Sequence, residues 1–262
     1  YSDVKTVAYV PDAVIVPSFL PDTPECRAEL AQYYQSVSRV DQGLGRLFDI
    51  LKKSGKYDNT VIIYISDNGI AFPGAKTTVY EPGIRLPCIV RTPWQTRRGI
   101  KCNAMINWAD LTPTLLDFAG GLDQKNEFHG QSFKSVIDKE KPTGWDITYA
   151  SHTFHEVTMY YPMRVVRQRR YKLIWNIAYE QEFPFASDLW HSPTWQGVIR
   201  SGKKFYGKRT VKAFIHRPEF ELYDLKEDPD ETINLIDSFN HQEILKQMKE
   251  QLKAFQLRTK DP

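Results

Sequence analysis

Apolar and polar positions follow different rhythms along this chain, and each rhythm predicts a different kind of element. From Leu30 onward, Tyr33, Val37, Val40, Leu44, Leu47 and Leu51 recur three or four residues apart, the spacing that keeps one face of an α-helix apolar. Asp22-Thr23-Pro24-Glu25 ahead of them supplies a capping oxygen, an early proline and an acid at the positive end of the helix dipole. Gly55 stands where a helix stops. A long helix packed on a sheet is expected here. Thr60 to Ile65 is instead a β-branched and aromatic run without polar alternation, which fits a parallel strand covered on both faces. Arg85 to Val90 predicts a second strand, leaving through Pro93 into a polar loop. Asn107 to Gly121 predicts a helix opened by Thr112-Pro113, faced by Leu115, Leu116 and Phe118, and ended at Gly120.

The pattern changes in the second half. Two strand-like runs follow Ile147, joined through Tyr161 and Pro162. In MRVVRQRRYKLIW, Val165, Tyr171, Leu173 and Trp175 alternate with Arg164, Arg167, Arg169, Arg170 and Lys172, as in an antiparallel strand with one solvated face. Phe220 to Leu225 reads as a later strand, and His241 to Leu257 as a closing helix whose buried face carries Leu245, Met248, Leu252 and Phe255. At the other end, Pro11, Pro17 and Pro21 interrupt Tyr1 to Pro21 too often for a central strand, so a surface loop is expected. The class is α/β. Residues 1–160 read as one α/β domain, and 161–262 as a smaller α+β subdomain with an antiparallel sheet and a closing helix.

Composition narrows this only a little. With 262 residues, 41% hydrophobic and 26% charged, the chain has the make-up of an ordinary globular protein. A net charge of +3 makes no case for nucleic acid, and no run of about 18 apolar residues exists to span a bilayer. There is no signal peptide, and Tyr1 reads as a position inside a longer protein. Cys26, Cys88 and Cys102 allow at most one internal pair and read as packing thiols.

The chemistry gathers just beyond the strand from Thr60 to Ile65. Ligands of α/β sheets bind past the carboxyl ends of strands, where Ser66, Asp67, Asn68 and Gly69 fall. Asp67 and Asn68 offer adjacent hard oxygen donors, suited to Ca²⁺ or Mg²⁺, although Asp-Asn-Gly is also simple turn composition. Lys76, Thr77, Thr78, Tyr80, Glu81 and Gly83 follow, then Arg85 and Pro87. S-D-N-G followed by K-T-T-x-Y-E-x-G-x-R-x-P resembles the second signature region of the type I sulfatases, of the alkaline phosphatase superfamily. The resemblance implies an alkaline-phosphatase-like mixed sheet between helices with a smaller C-terminal sheet. It also implies that Asp67 and Asn68 complete a calcium site, with Mg²⁺ as the alternative ion, and that Lys76 is a catalytic residue contacting the sulfate group.

Further segments extend the likeness. HEVTMYYPMR from His155 to Arg164 and ELYDLKEDPDETINL from Glu221 to Leu235 resemble the heparan N-sulfatase (sulfamidase) branch. By that resemblance His155, Glu156 and Arg164 would bind substrate, a sulfated glucosamine or glycosaminoglycan, in heparan sulfate degradation by an exported enzyme, periplasmic, extracellular or lysosomal. Lys76 and Glu81 depart from the branch, which has arginine and tryptophan there, and match the common O-sulfatase form. The family nucleophile, a Cys or Ser in C/S-x-P-x-R converted to formylglycine, is not in this sequence, since no proline has Cys, Ser or Thr two positions before it. The expectation is the C-terminal part of a sulfatase that works with the N-terminal part of the same protein and is inactive by itself. An O-sulfatase, a phosphatase or phosphonate hydrolase of the superfamily, and a non-catalytic glycan-binding or scaffolding protein are the other readings.

Overall fold

The computed structural model describes residues 4–123, 125 and 127–261. In chain order the elements are α1 (Pro24–Lys53), β1 (Ile62–Ile65), α2 (Glu81–Ile84), β2 (Cys88–Arg91), α3 (Leu111–Phe118), β3 (Ile147–His155), β4 (Met159–Gln168), β5 (Tyr171–Asn176), α4 (Ser187–Trp190), α5 (Pro193–Arg200), β6 (Phe205–Tyr206), β7 (Arg209–Thr210), α6 (Val211–Ile215), β8 (Phe220–Asp224) and α7 (Gln242–Thr259). This is a mixed α/β fold with antiparallel sheets. It packs as two units that interleave along the chain. The first takes the described residues up to Pro93 with His155–Met159 and Glu182–Arg217, and the second takes Trp94–Phe154, Tyr160–Gln181 and the described residues from Pro218. The boundary expected at residue 160 therefore lies inside β4.

In the first unit α1 begins as its sequence requires, with Thr23 Oγ1 accepting the Cys26 N–H at 3.3 Å and Pro24 in the first turn. Only Cys26, Leu30 and Ala31 of this helix are buried. Its first turns lie on α5, where Glu29 accepts the Thr194 N–H at 2.7 Å, and not on a sheet. Farther along, Val37, Val40, Leu47 and Ile50 are exposed, so the apolar stripe is present but uncovered in this chain. The strand from Thr60 also differs from expectation. β1 pairs antiparallel with β2, in register from Ile62 opposite Arg91 to Ile65 opposite Cys88, and its four residues are half-buried. The apolar run gave the strand but not its partner, because the reversal through α2 brings the next segment back alongside it.

A cluster of aromatic rings forms the rest of this core. Phe185 stacks on Phe214 at 5.5 Å and lies tilted against Trp195 at 4.4 Å, and Trp195 meets Tyr206 at 5.4 Å. The Arg217 guanidinium lies 3.5 Å from the Phe183 ring and 5.0 Å from Tyr80, while Arg209 lies 4.0 Å from Tyr80.

In the second unit the sheet runs β3-β4-β5-β8. Leu245, Met248 and Leu252 of α7 pack against Val166, Leu173 and Leu222, and Phe255 stacks on Tyr149 at 3.9 Å. The turn of the first hairpin is Glu156 to Thr158, so Tyr161 and Pro162 lie within β4 and not between strands. MRVVRQRRYKLIW is two strands, with a tight turn at Arg169 and Arg170. The basic run is accordingly no open solvated face. Lys172 is fully buried 2.7 Å from Glu231, and Arg169 and Arg170 pair with Asp146 and Asp224 at 2.7 and 2.6 Å. The helix expected to open at Thr112 starts at Leu111, behind a capping box in which Asn107 and Asp110 exchange side-chain and backbone hydrogen bonds.

Candidate active site

The loop from Ser66 to Ile84 sits between β1 and β2, and its shape is set by close backbone approach. A Cβ on Gly69 would collide with the Pro82 carbonyl, and one on Gly83 with the carbonyls of Thr78 and Ala75. Ser66 Oγ donates to the Asn68 carbonyl at 2.9 Å, and the Ile70 carbonyl accepts the N–H groups of Phe72 at 2.7 Å and Lys76 at 3.1 Å. Thr78 Oγ1 closes the turn on the Gly74 and Ala75 carbonyls. Tyr80, buried beside Arg209 and Arg217, fixes the far end of the loop. Lys76 is thereby tied by its backbone to the residue two places beyond Asn68.

Thr77 adopts φ 64°, a left-handed conformation that disfavours β-branched residues, and its buried Oγ1 has no hydrogen-bond partner among the described residues. Strain of this kind gathers at functional sites. Glu156 also has a positive φ, 61°, at the start of the β3–β4 turn, as do Glu231 and Lys260 elsewhere in the chain.

Three segments of the first unit then meet. The Lys76 ammonium donates to Asp188 Oδ2 at 2.6 Å. Ser187, next to Asp188 at the start of α4, donates to Glu156 from its hydroxyl at 3.1 Å and from its N–H at 3.3 Å. His155 Nε2 lies 3.8 Å from Glu156 Oε1. Partial burial pushes the Asp188 carboxyl up, but the hydrogen bond and charge of Lys76 and the Leu189 N–H hold it below the usual carboxylate range. The structure thus brings Lys76, Glu156 and His155 together through Ser187 and Asp188, two residues the sequence reading did not name. Their only sequence signal is a polar pair before a short apolar stretch, which is indistinguishable from an ordinary helix start.

The remaining candidates are Asp67, Asn68 and Arg164. Asp67 is exposed, with Oδ1 accepting the Asn68 N–H at 3.0 Å, and Asn68 is half-buried. Two hard oxygen donors fit a share of a calcium shell, which takes about six to eight oxygens. No group of three or more His, Cys, Asp or Glu able to hold a metal occurs among the described residues. Arg164 belongs to the second unit, where it is buried against Asp261, with Nη2 to Oδ1 at 2.7 Å and Nη1 donating to the Met163 carbonyl at 3.1 Å.

Comparison with known proteins shows the family. The sulfatase family model matches residues 8–121, and the model for the N-sulphoglucosamine sulphohydrolase C-terminal region matches residues 74–204, half of the chain. Human N-sulphoglucosamine sulphohydrolase is 35% identical over 97% of this chain and 53% of its own length. An N-acetylglucosamine-6-O-sulfatase from Bacteroides thetaiotaomicron is 29% identical over 88% of this chain and 36% of its own length. A solved structure, BT4656 in complex with its substrate D-glucosamine-2-N,6-O-disulfate, superposes with a TM-score of 0.67 at 26% identity, over 92% of this chain and 44% of that one. The chain spans about half the length of these relatives or less. It belongs to the sulfatase family and carries the C-terminal region characteristic of the N-sulphoglucosamine sulphohydrolases.

Proposed function

We propose that this chain is the C-terminal part of a sulfatase that removes sulfate from heparan-type glucosamine residues. The observation that carries the reading is the loop behind β1. In that loop the Lys76 N–H donates to the Ile70 carbonyl, two residues beyond Asn68, and Ser66 Oγ donates to the Asn68 carbonyl, which supports reading Lys76 as the sulfate-binding lysine beside Asp67 and Asn68. Asp67 and Asn68 would hold Ca²⁺, and bound calcium would supply positive charge against the sulfate oxygens. Lys76 neutralises a sulfate oxygen as a point charge, and charge stabilisation of this kind is the dominant contribution to such transfers. His155 and Glu156, at the end of β3, contact the sugar. Arg164, committed to Asp261, is not assigned to that task.

The nucleophile and the other calcium ligands belong to the N-terminal part of the same protein. Support for that partner comes from α1, whose exposed Val37, Val40, Leu47 and Ile50 form an apolar row of the kind that packs against further α/β structure. Among the described residues no helix is long and apolar enough to cross a membrane. An exported location, periplasmic, extracellular or lysosomal, is part of the proposal.

The test uses the full-length protein. Sulfate release is measured from N-sulfated and 6-O-sulfated glucosamine, with phosphorylated glucosamine in parallel, and calcium affinity is compared with that of Asp67→Ala. Sulfate release from a glucosamine substrate together with weakened calcium binding supports the reading; phosphate release alone, or unchanged calcium affinity, overturns it. An O-sulfatase is the second reading, favoured by Lys76 and Glu81, and preference for the 6-O-sulfated substrate would select it.

A further inference from the structure

Lys76 reaches its neighbours through a flexible four-carbon stem, and nothing in that stem fixes where the ammonium sits. The ammonium donates to Asp188 Oδ2 at 2.6 Å, on a residue 112 positions away in sequence. Asp188 is itself held on three sides. Its Oδ1 accepts the Leu189 N–H at 3.0 Å, Leu189 is buried, and neighbouring Ser187 is gripped by the Glu156 carboxylate through both hydroxyl and N–H. The Ser187 carbonyl also lies 2.7 Å from His191 Nδ1. Asp188 is therefore a pre-set acceptor.

We infer that Asp188 is a positioning residue that aims the Lys76 ammonium, and the inference rests on the reading of Lys76 as the sulfate-binding cation. An ammonium has three donors, so one bond to Asp188 orients it and leaves two for an anion's oxygens. The pair is half open to solvent, with side-chain exposures of 20% for Lys76 and 48% for Asp188. Exposed ion pairs add little to stability, which makes orientation the larger effect of this contact.

Two measurements on the full-length protein test this. The first is the rate at which an amine-reactive reagent, acetic anhydride, labels Lys76, read by mass spectrometry in wild type, Asp188→Ala and Asp188→Asn. Labelling several-fold faster in Asp188→Ala, with Asp188→Asn between it and wild type, supports the pair; equal rates overturn it. The second is sulfate release by Asp188→Ala, Lys76→Ala and the double variant. Asp188→Ala should lower kcat about tenfold with KM little changed, as expected when a reacting contact is misplaced. In the Lys76→Ala background the same substitution should have no effect, and Asp188→Asn should recover part of the loss. Effects that multiply in the double variant overturn the positioning role. Absence of sulfate release in wild type, with the labelling contrast intact, would overturn the sulfatase reading and leave Asp188 as the partner that orients Lys76.

Discussion

Thr77 pays a conformational cost that its neighbours do not relieve, since a β-branched side chain at φ 64° is held there by the knitted loop and not by local preference. Thr77→Gly should therefore raise stability by about 1 kcal/mol, seen as a higher Tm, while sulfate release by the full-length protein falls because the adjacent Lys76 loses its fixed backbone. A lower Tm would show that the Thr77 side chain contributes more by packing than its backbone loses by strain. Asp224 is the opposite kind of residue, satisfied on every side. The Arg170 guanidinium and the backbone N–H of Lys226 hold its carboxyl below the usual range. A carboxylate with a lowered folded pKa adds stability that is present above the unfolded value, about 3.9, and lost as pH falls through the folded value. The Tm difference between wild type and Asp224→Asn should accordingly be clear at pH 7 and vanish at the acid end of the titration. Lys76 and Asp188 differ in legibility. Asp-Asn-Gly and the lysine after it are visible in sequence because hard donors and a cation at a strand end have chemical meaning there. Asp188 has none until Lys76 is beside it.

At the scale of elements, the loop from Ser66 to Ile84 depends on absent side chains more than on present ones. Gly83→Ala would drive a Cβ into the carbonyls of Thr78 and Ala75, and the backbone on both sides is hydrogen-bonded in place. The expected loss is about 3 kcal/mol, the upper range for overpacking, measured by denaturant unfolding. A neutral result would mean that the loop relaxes freely and does not hold Lys76. The helices α1 and α7 were readable because a period of 3.6 residues, a cap and a stop signal agree over many residues. The hairpin of β4 and β5 was not. Its turn residues, Arg169 and Arg170, are as polar as the outward positions of the strands on either side, so alternation runs through the turn without a break. The same limit hid the direction of β1, since an apolar run says that a strand is buried and nothing about which neighbour pairs with it.

For the molecule as a whole, the two units draw on segments far apart in the chain, and their stability rests on long-range closures. Asp261, two residues beyond the end of α7 at Thr259, pairs with Arg164 on β4 and satisfies the guanidinium of a side chain that is 8% exposed. Asp261→Ala should cost about 2 kcal/mol and lower Tm by several degrees, because a buried charged donor is left without its acceptor. An unchanged Tm would mean that water serves Arg164 as well as Asp261 does. Sequence alone determined the class of fold, the long helices, and the position of Asp67, Asn68 and Lys76 beyond the end of a strand, because each rests on residue type and spacing over a short stretch. Only the tertiary structure decided the antiparallel partner of β1, the interleaving of the two units, the closing of Arg164 onto Asp261, and the contact of Lys76 with Asp188. Each of those joins groups far apart along the chain, and what brings them together is burial of apolar surface across the whole unit, which no local pattern records.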